Sequence, residues 1–321
     1  MAEWWAVSAL IALVAMVAAP TPASLPAPVE ITAPGPEGAL AGTLLDPDSK
    51  APLVLIVPGS GPTDRDGNNP MGVAGGPYRQ LAEALAADGV ASVRIDKRGM
   101  FGSKAALADV NASTTAGYAD DVHAWVSAVL KRTGRRCVWV LGHSEGALVA
   151  LQAAQSPAGL CGVILLSGGG RPIGAVLRDQ LRANPANAPI LDAALAAVDA
   201  LEAGRRVPEA TLPVPIRPLF ADKLQSYWID LMSHDPAKLI AAVKLPILIV
   251  QGERDLQVSV QDARLLKAAQ PAAVLVLVPD VNHVLRPVAS DDRAANIATY
   301  RDATLAIDPK VPAAVAGFVK K

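Results

Sequence analysis

The run Gly-His-Ser-Glu-Gly at residues 142–146 has the spacing of a serine nucleophile on a tight turn. An apolar stretch precedes it, and a stretch rich in alanine and leucine with helical character follows it. Such a turn holds the Ser144 hydroxyl away from its own backbone, and the two glycines stand where a side chain would not fit. Ser144 is therefore the candidate nucleophile of an acyl-transfer reaction.

A serine hydroxyl needs a base to take its proton, and the base needs a carboxylate to fix its orientation. Among the four histidines of the chain, His283 follows the apolar run 274–278, which predicts the last strand. The loops at the carboxyl ends of parallel strands are where active sites form. His283 is the candidate base. The remaining histidines are expected to pack, cap a helix, lie at the surface or point away from Ser144: His123, His143 and His234.

The candidate carboxylate occupies an equivalent place one strand earlier. The apolar run 247–250 is followed by Gln-Gly-Glu-Arg-Asp, which ends at Asp255. The resulting chain order, Ser144 then Asp255 then His283, is the order found in the α/β-hydrolase triad. Glu253 and Asp280 remain weaker candidates for the acid.

A tetrahedral intermediate also needs hydrogen-bond donors for its oxyanion. The backbone N–H of Glu145, the residue after the nucleophile, is one candidate. The second is expected from the loop at 58–62, where the Ser60 amide is the natural position and the Gly61 amide is the alternative. The Glu145 side chain is expected in or beside the pocket, where a salt bridge to a loop arginine is the simplest interpretation.

The elements that must position these residues alternate between apolar runs and helical patterns. This alternation predicts an α/β fold with a mostly parallel central sheet and helices on both faces. From about 171 to 243 the alternation stops and three helical segments appear, separated by a proline-rich stretch. A helical insertion of this kind is expected to form a lid over the active site. A loosely packed decoration is the alternative.

The N-terminal residues predict export. Residues 1–23 have the apolar core and small-residue cleavage site of a signal peptide, although no basic residue precedes the core, and an uncleaved anchor is the alternative. Residues 24–38 are interpreted as a proline-rich leader, and 39–321 as the α/β-hydrolase domain. We expect a periplasmic or extracellular protein. The two cysteines, Cys137 and Cys161, open neighbouring predicted strands and either form a disulfide or remain buried thiols.

Composition excludes several classes of function. The net charge is -1 and no basic or acidic block occurs, so neither nucleic-acid binding nor electrostatic membrane attachment is indicated, and no membrane association is expected after signal cleavage. No dinucleotide fingerprint, phosphate loop or zinc-ligand spacing occurs, so no cofactor and no metal is predicted. The expected partner is a small-molecule ester substrate. The sequence does not indicate an oligomeric state.

Four motifs together resemble those of the secreted bacterial carboxylesterases of the α/β-hydrolase superfamily. They are the stretches 59–68 and 94–103, the serine turn at 142–146, and the Asn-His pair at 282–283. This group is often placed beside the serine aminopeptidase and dienelactone-hydrolase-like proteins. The resemblance implies the same nucleophile, acid and base as the residue pattern. The chain departs from it at Met100 and Phe101, where similar proteins have a shorter stretch.

These observations predict a serine hydrolase that cleaves carboxylic esters, with short to medium acyl chains, through an acyl-enzyme on Ser144. A peptidase or amidase that uses the same triad is the main alternative. A non-catalytic binding protein on a hydrolase scaffold is the second.

Overall fold

The computed structural model describes residues 25–321. The predicted signal segment at 1–23 lies outside this range. Within it, one sheet of eight strands is formed. The strands are β1 (Val29–Pro34), β2 (Ala39–Leu45), β3 (Leu53–Val57), β4 (Ala91–Ile95), β5 (Val138–His143), β6 (Leu160–Leu166), β7 (Ile247–Gly252) and β8 (Val274–Val278). The helices are α1 (Pro77–Ala87), α2 (Thr115–Thr133), α3 (Glu145–Ala153), α4 (Ile173–Ala183), α5 (Leu191–Glu202), α6 (Gln225–Met232), α7 (Pro236–Ala242), α8 (Val260–Ala269), α9 (Arg293–Arg301) and α10 (Lys310–Val319).

The strand order is β1-β2-β4-β3-β5-β6-β7-β8, with the strands parallel from β4 to β8 and antiparallel at the β1 and β2 edge. The central strands are buried on both sides, as their continuous apolar sequences predict. One hydrophobic cluster joins the sheet to α2, α3 and α8, and a second joins the other face to α1 and α10. The predicted fold class is confirmed. Because β3, β5, β7 and β8 are parallel, their carboxyl ends bring the candidate site loops to one edge.

The proline-rich leader predicted at 24–38 is wrong for much of its length, because Val29–Pro34 forms β1 at the edge of the sheet. The strand alternates between exposed and buried residues, with Ile31 and Ala33 facing the core. Pro34 ends an edge strand, where the missing N–H costs no ladder hydrogen bond. The folded domain therefore begins about ten residues earlier than the composition suggested.

The insertion at 171–243 is helical, as predicted, and has a core of its own. Its buried apolar side chains form a third cluster around Phe220, which is 0% exposed. Polar contacts attach it to the domain. Arg171 pairs with the buried Asp262 at 2.8 Å, and Asp230 accepts hydrogen bonds from the backbone and side chain of Thr115 at 2.8 Å each. The insertion is therefore a compact subdomain and not a loosely packed decoration.

A disulfide joins Cys137, just before β5, to Cys161 in the adjacent strand β6. It settles the two interpretations of these cysteines in favour of pairing, because neighbouring parallel strands place their Cα atoms 5.1 Å apart. Within residues 25–321, no helix has both the length and the apolar character needed to cross a membrane.

Candidate active site

Ser144 lies at the turn between β5 and α3, in a backbone conformation that few non-glycine residues adopt. Its φ is 56° and its ψ is -120°. The turn leaves no room for side chains on either flank. A Cβ on Gly142 would lie 2.0 Å from the Gly146 carbonyl oxygen, and one on Gly146 would lie 2.4 Å from that of Val57. The glycine requirement predicted from the sequence is thus explained by close backbone approach, and the strain presents the serine at the start of α3.

Asp255 and His283 are brought together in the loops after β7 and β8. The His283 Nδ1 atom lies 2.8 Å from Asp255 Oδ2, and the two side chains are 5% and 0% exposed. The backbone N–H groups of Gln257 and Val258 donate to the other carboxylate oxygen at 2.8 and 2.9 Å. Gln251 also donates to Oδ2, at 3.1 Å. The carboxylate is therefore held from several directions and orients one ring.

Burial alone would raise the pKa of Asp255, but the positive charge that His283 can carry and the hydrogen bonds to the carboxylate outweigh it. The pKa lies below its ordinary value. Of the two competing acids, Glu253 is exposed and Asp280 pairs with Arg254 at 3.2 Å. Neither contacts His283 among the described residues, so the geometry selects Asp255 as the partner of the ring.

Ser144 and His283 line one cavity of about 350 Å³. In the described residues, the serine hydroxyl makes no hydrogen bond to the ring, a contact that often tightens only when substrate is bound. The rest of the lining comes from the loop after β3, the start of α1, the end of β5, the loop after β7 and the segment from 284 to 301: Gly59, Ser60, Thr63, Gly67, Asn69, Met71, Gly72, Val73, Pro77, Tyr78, His143, Gln257, Val284, Leu285, Ile297, Tyr300 and Arg301.

The predicted lid at 171–243 is not confirmed. Among the described residues, this insertion contributes none of the side chains that line the cavity. Its Gln180 donates to the carbonyl of Gln257, a residue of the lining, at 2.9 Å. The loop at 69–73 and helix α9 flank the cavity instead. The apolar side chains of the insertion pack partly in its own core and partly against the cluster on the central sheet, through Tyr227, Leu239, Ile240 and Val243, and not over the cavity.

Ser60, one of the two predicted oxyanion donors, lines the cavity beside Ser144. The backbone N–H groups of Ser60 and Glu145 donate to no acceptor within the described residues. The Glu145 side chain is buried and lies 3.7 Å from Lys97, so the expected arginine partner is in fact a lysine. That lysine also donates to the Gly59 carbonyl at 2.7 Å.

A chain of hydrogen bonds that the sequence did not predict connects the loop after β3, which carries Ser60, to the His283 loop. The Gly59 N–H donates to Tyr78 Oη at 3.2 Å, and this hydroxyl lies 2.7 Å from His143 Nδ1. The His143 Nε2 atom lies 2.8 Å from the His283 carbonyl oxygen. Because a carbonyl can only accept, Nε2 carries the ring proton and Nδ1 accepts from the tyrosine.

Burial, followed by the nearby His283 ring, lowers the pKa of His143 to about 3, so the ring is neutral at ordinary pH. Burial likewise raises the pKa of Tyr78 well above its usual value. Both ring nitrogens of His143 are bonded, to Tyr78 and to the His283 carbonyl, and elimination among histidines could not reveal this connection. The one feature of the sequence that could have pointed to this connection is the position of His143 directly before Ser144.

The loop that carries His283 is fixed by buried polar side chains. Asn282 donates to Asn296 at 3.1 Å and to Thr299 at 2.7 Å, both on α9. The fully buried Arg286 donates to the carbonyls of Thr299 and Ala74. One arginine therefore links the histidine loop to both segments that flank the cavity. Among residues 25–321, no cluster of three or more histidine, cysteine, aspartate or glutamate side chains could hold a metal ion.

Comparison with known proteins agrees with this architecture. Residues 54–298 match the alpha/beta hydrolase family. The chain belongs to the alpha/beta hydrolase family. It is 27% identical to esterase EstD of Thermotoga maritima over 244 residues, which cover 73% of this chain and 54% of that protein. A shorter stretch of 68 residues is 35% identical to lipase 1 of Psychrobacter immobilis and covers 21% of this chain and 22% of the lipase. The match thus spans about half the length of the esterase and about a fifth of the length of the lipase.

Solved structures show the same fold. The Pyrococcus furiosus esterase Pf2001 superimposes with a TM-score of 0.58 at 16% identity, over 92% of this chain and 90% of that one. Est1E from Butyrivibrio proteoclasticus superimposes with a TM-score of 0.56 at 17% identity, over 91% and 99% of the two chains. At this identity the likeness establishes the fold.

Proposed function

We propose that this protein hydrolyses carboxylic esters of short to medium acyl chains, with Ser144 as nucleophile, His283 as base and Asp255 as the acid that orients it. The observation that carries the proposal is the buried Asp255–His283 hydrogen bond beside a cavity that His283 shares with Ser144. The two matched relatives are an esterase and a lipase, which supports the same reaction class.

Each residue has a step in the proposed reaction. Ser144 Oγ attacks the ester carbonyl carbon while His283 Nε2 accepts its proton, and the tetrahedral oxyanion is bound by the Ser60 and Glu145 N–H groups. The imidazolium then protonates the departing alcohol, which leaves an acyl group on Ser144. Water attacks this acyl-enzyme by the reverse sequence of proton transfers and releases the acid. Asp255 keeps the His283 proton on Nδ1 throughout, because it accepts a hydrogen bond from that atom.

The size of the cavity supports the proposed acyl range. About 350 Å³ lies at the small end of ligand pockets, which span roughly 300 to 1,000 Å³. Its apolar side chains, among them Met71, Val73 and Ile297, suit an acyl chain. Arg301 also lines the cavity, but among the described residues no carboxylate lies in the lining to pair with a free amine. A short ester is therefore the substrate class that the cavity favours.

Export is part of the same proposal. The Cys137–Cys161 disulfide supports a periplasmic or extracellular location, since such bonds persist in oxidising compartments and are rare in the reducing cytosol.

The test is hydrolysis of p-nitrophenyl butyrate by the wild type and by Ser144→Ala. We expect kcat to fall by at least about 10⁴-fold with an unchanged circular dichroism spectrum. Ser167→Ala is the matched control, because Ser167 also follows a central strand with a positive φ of 52° and its hydroxyl has no hydrogen-bond partner. That variant should keep its activity. Equal turnover by Ser144→Ala and the wild type would refute the proposal.

A further inference from the structure

Lys97 is a buried charge with an unusual set of contacts. It follows β4, its side chain is 5% exposed, and its ammonium group lies 5.6 Å above the Tyr118 ring. Its hydrogen bond to a backbone carbonyl, that of Gly59, is 2.7 Å long, and its counter-charge is the Glu145 carboxylate at 3.7 Å. Burying a lysine costs free energy of desolvation, which these contacts must offset.

The two groups that Lys97 contacts belong to the two halves of the oxyanion site. Gly59 precedes Ser60 in one loop, and Glu145 follows Ser144 in the other. The lysine therefore bridges the loop after β3 and the first turn of α3. It does so from outside the cavity, because Gly59 and Ser60 line the Ser144 cavity whereas Lys97 borders a separate small space beside Tyr118 and Trp125.

The hydrogen bond from Lys97 to the Gly59 carbonyl also determines the direction of the Ser60 N–H, because both groups belong to one peptide plane. Residues 25–321 contain no cis peptide bond, so the Gly59 C=O and the Ser60 N–H point in opposite directions within one rigid plane. A carbonyl directed at Lys97 on one side of the loop directs the following N–H to the other side, where the Ser144 cavity lies. The preceding peptide plane, between Pro58 and Gly59, is held as well, since the Gly59 N–H donates to Tyr78 Oη.

We propose that Lys97 is a positioning residue for ester hydrolysis: its hydrogen bond to the Gly59 carbonyl turns the Ser60 N–H toward the oxyanion. This inference rests on the proposed function and extends it. Glu145 supplies the negative charge that keeps the buried ammonium group in place, and its own backbone N–H is the second donor. Both donors are thereby held before substrate binds, which is the condition under which such groups stabilise a transition state most.

The test uses the double variant Lys97→Met/Glu145→Gln, which removes both charges together so that no unpaired ion remains buried. We expect kcat for p-nitrophenyl butyrate to fall by about 10- to 100-fold with KM nearly unchanged, somewhat less than the 10²–10³-fold cost of deleting an oxyanion donor. The affinity for a trifluoromethyl ketone, whose adduct with Ser144 carries an oxyanion, should fall by the same factor. Lys244→Met, which changes an exposed lysine, should leave all three quantities unchanged.

The outcomes separate the two proposals. An inactive wild type would refute the esterase function and this inference with it. An active wild type and a folded double variant with the same kcat and the same affinity for the ketone would overturn the role of Lys97 alone. A parallel rise in KM, with no selective loss of ketone affinity, would assign Lys97 to general substrate binding and would also overturn it. Circular dichroism and the melting temperature establish that the variant is folded.

Discussion

Two aspartate–histidine pairs lie in the described part of the chain, and their surroundings differ. Asp255 and His283 meet at 2.8 Å with side chains 0% and 5% exposed. Asp230 and His234, in the insertion, lie 3.7 Å apart with side chains 26% and 27% exposed. The first pair borders the Ser144 cavity. The second pair binds Thr115 at the start of α2 and thereby fastens the insertion to the domain.

The comparison shows how the candidate catalytic pair differs from a pair that attaches one segment to another. Burial removes competing water, and four donors around Asp255 leave its carboxylate a single arrangement relative to His283. The partly buried pair directs its hydrogen bonds to Thr115 at the N-terminus of α2, so it fixes an attachment. The same contrast extends to the regions that carry the pairs: the loops at the sheet edge form the cavity, and the insertion forms its own core.

The largest effect is expected from replacing the two aspartates. Asp255→Asn should lower kcat on the order of 10⁴-fold, because an amide can donate to Nδ1 and stabilise the wrong tautomer of His283. Asp230→Asn should leave kcat unchanged. Steady-state kinetics on p-nitrophenyl butyrate measure both. A similar loss in the two variants would remove the distinction between the pairs.

The second effect concerns the core of the insertion. Phe220→Ala should lower the free energy of unfolding by about 3–5 kcal/mol, because it empties a fully buried aromatic site. At a temperature where the variant is folded, kcat/KM should match that of the wild type. Urea unfolding and kinetics measure the two quantities. A collapse of kcat/KM at unchanged stability would instead support a lid function for the insertion.

The third effect compares an exposed side chain of the cavity with one of the insertion. Ile297, 42% exposed, lines the cavity, whereas Val214, 69% exposed, lies in the insertion. Ile297→Trp should shift the preference between acetyl and octanoyl esters by roughly 10- to 100-fold toward the shorter, since one pocket contact is worth about 1–3 kcal/mol. Val214→Trp should leave the preference unchanged. The reverse result would place the acyl site under the insertion.

The smallest effect concerns His143, a histidine as buried as His283 but without a carboxylate. Its pKa of about 3 lies below the value near 6.5 in the unfolded chain, so unfolding takes up a proton between these two pH values. The stability of the wild type should therefore fall relative to His143→Gln as the pH drops below 6.5, by up to about 1.4 kcal/mol per pH unit. Urea unfolding from pH 7 to pH 4.5 measures it. Parallel pH profiles for the two proteins would contradict a neutral His143.

The sequence predicted those features of the molecule that are determined by residues adjacent in the chain. The serine turn follows from glycine spacing, and the positions of Asp255 and His283 follow from the apolar strands before them. Local composition misled the interpretation of β1, because its prolines lie before and at the end of an edge strand that pairs with β2. A pairing of this kind is decided by tertiary structure.

Contacts between distant residues explain the remaining differences. Lys97, Tyr78 and His143 belong to three different segments, and nothing in their local sequence shows that they meet around Gly59. The relation of the insertion to the cavity depends on whether its apolar residues bury one another or the active site. Helical periodicity alone does not distinguish these arrangements.

The central claim is tested most directly by locating the covalent adduct of a fluorophosphonate. The wild type, incubated with the probe and digested, should carry one phosphonyl group, and peptide mass spectrometry should place it on Ser144. Ser144→Ala should remain unlabelled, while Ser167→Ala should be labelled like the wild type. A folded wild type that takes up no probe, or an adduct on any other residue, would contradict Ser144 as the nucleophile.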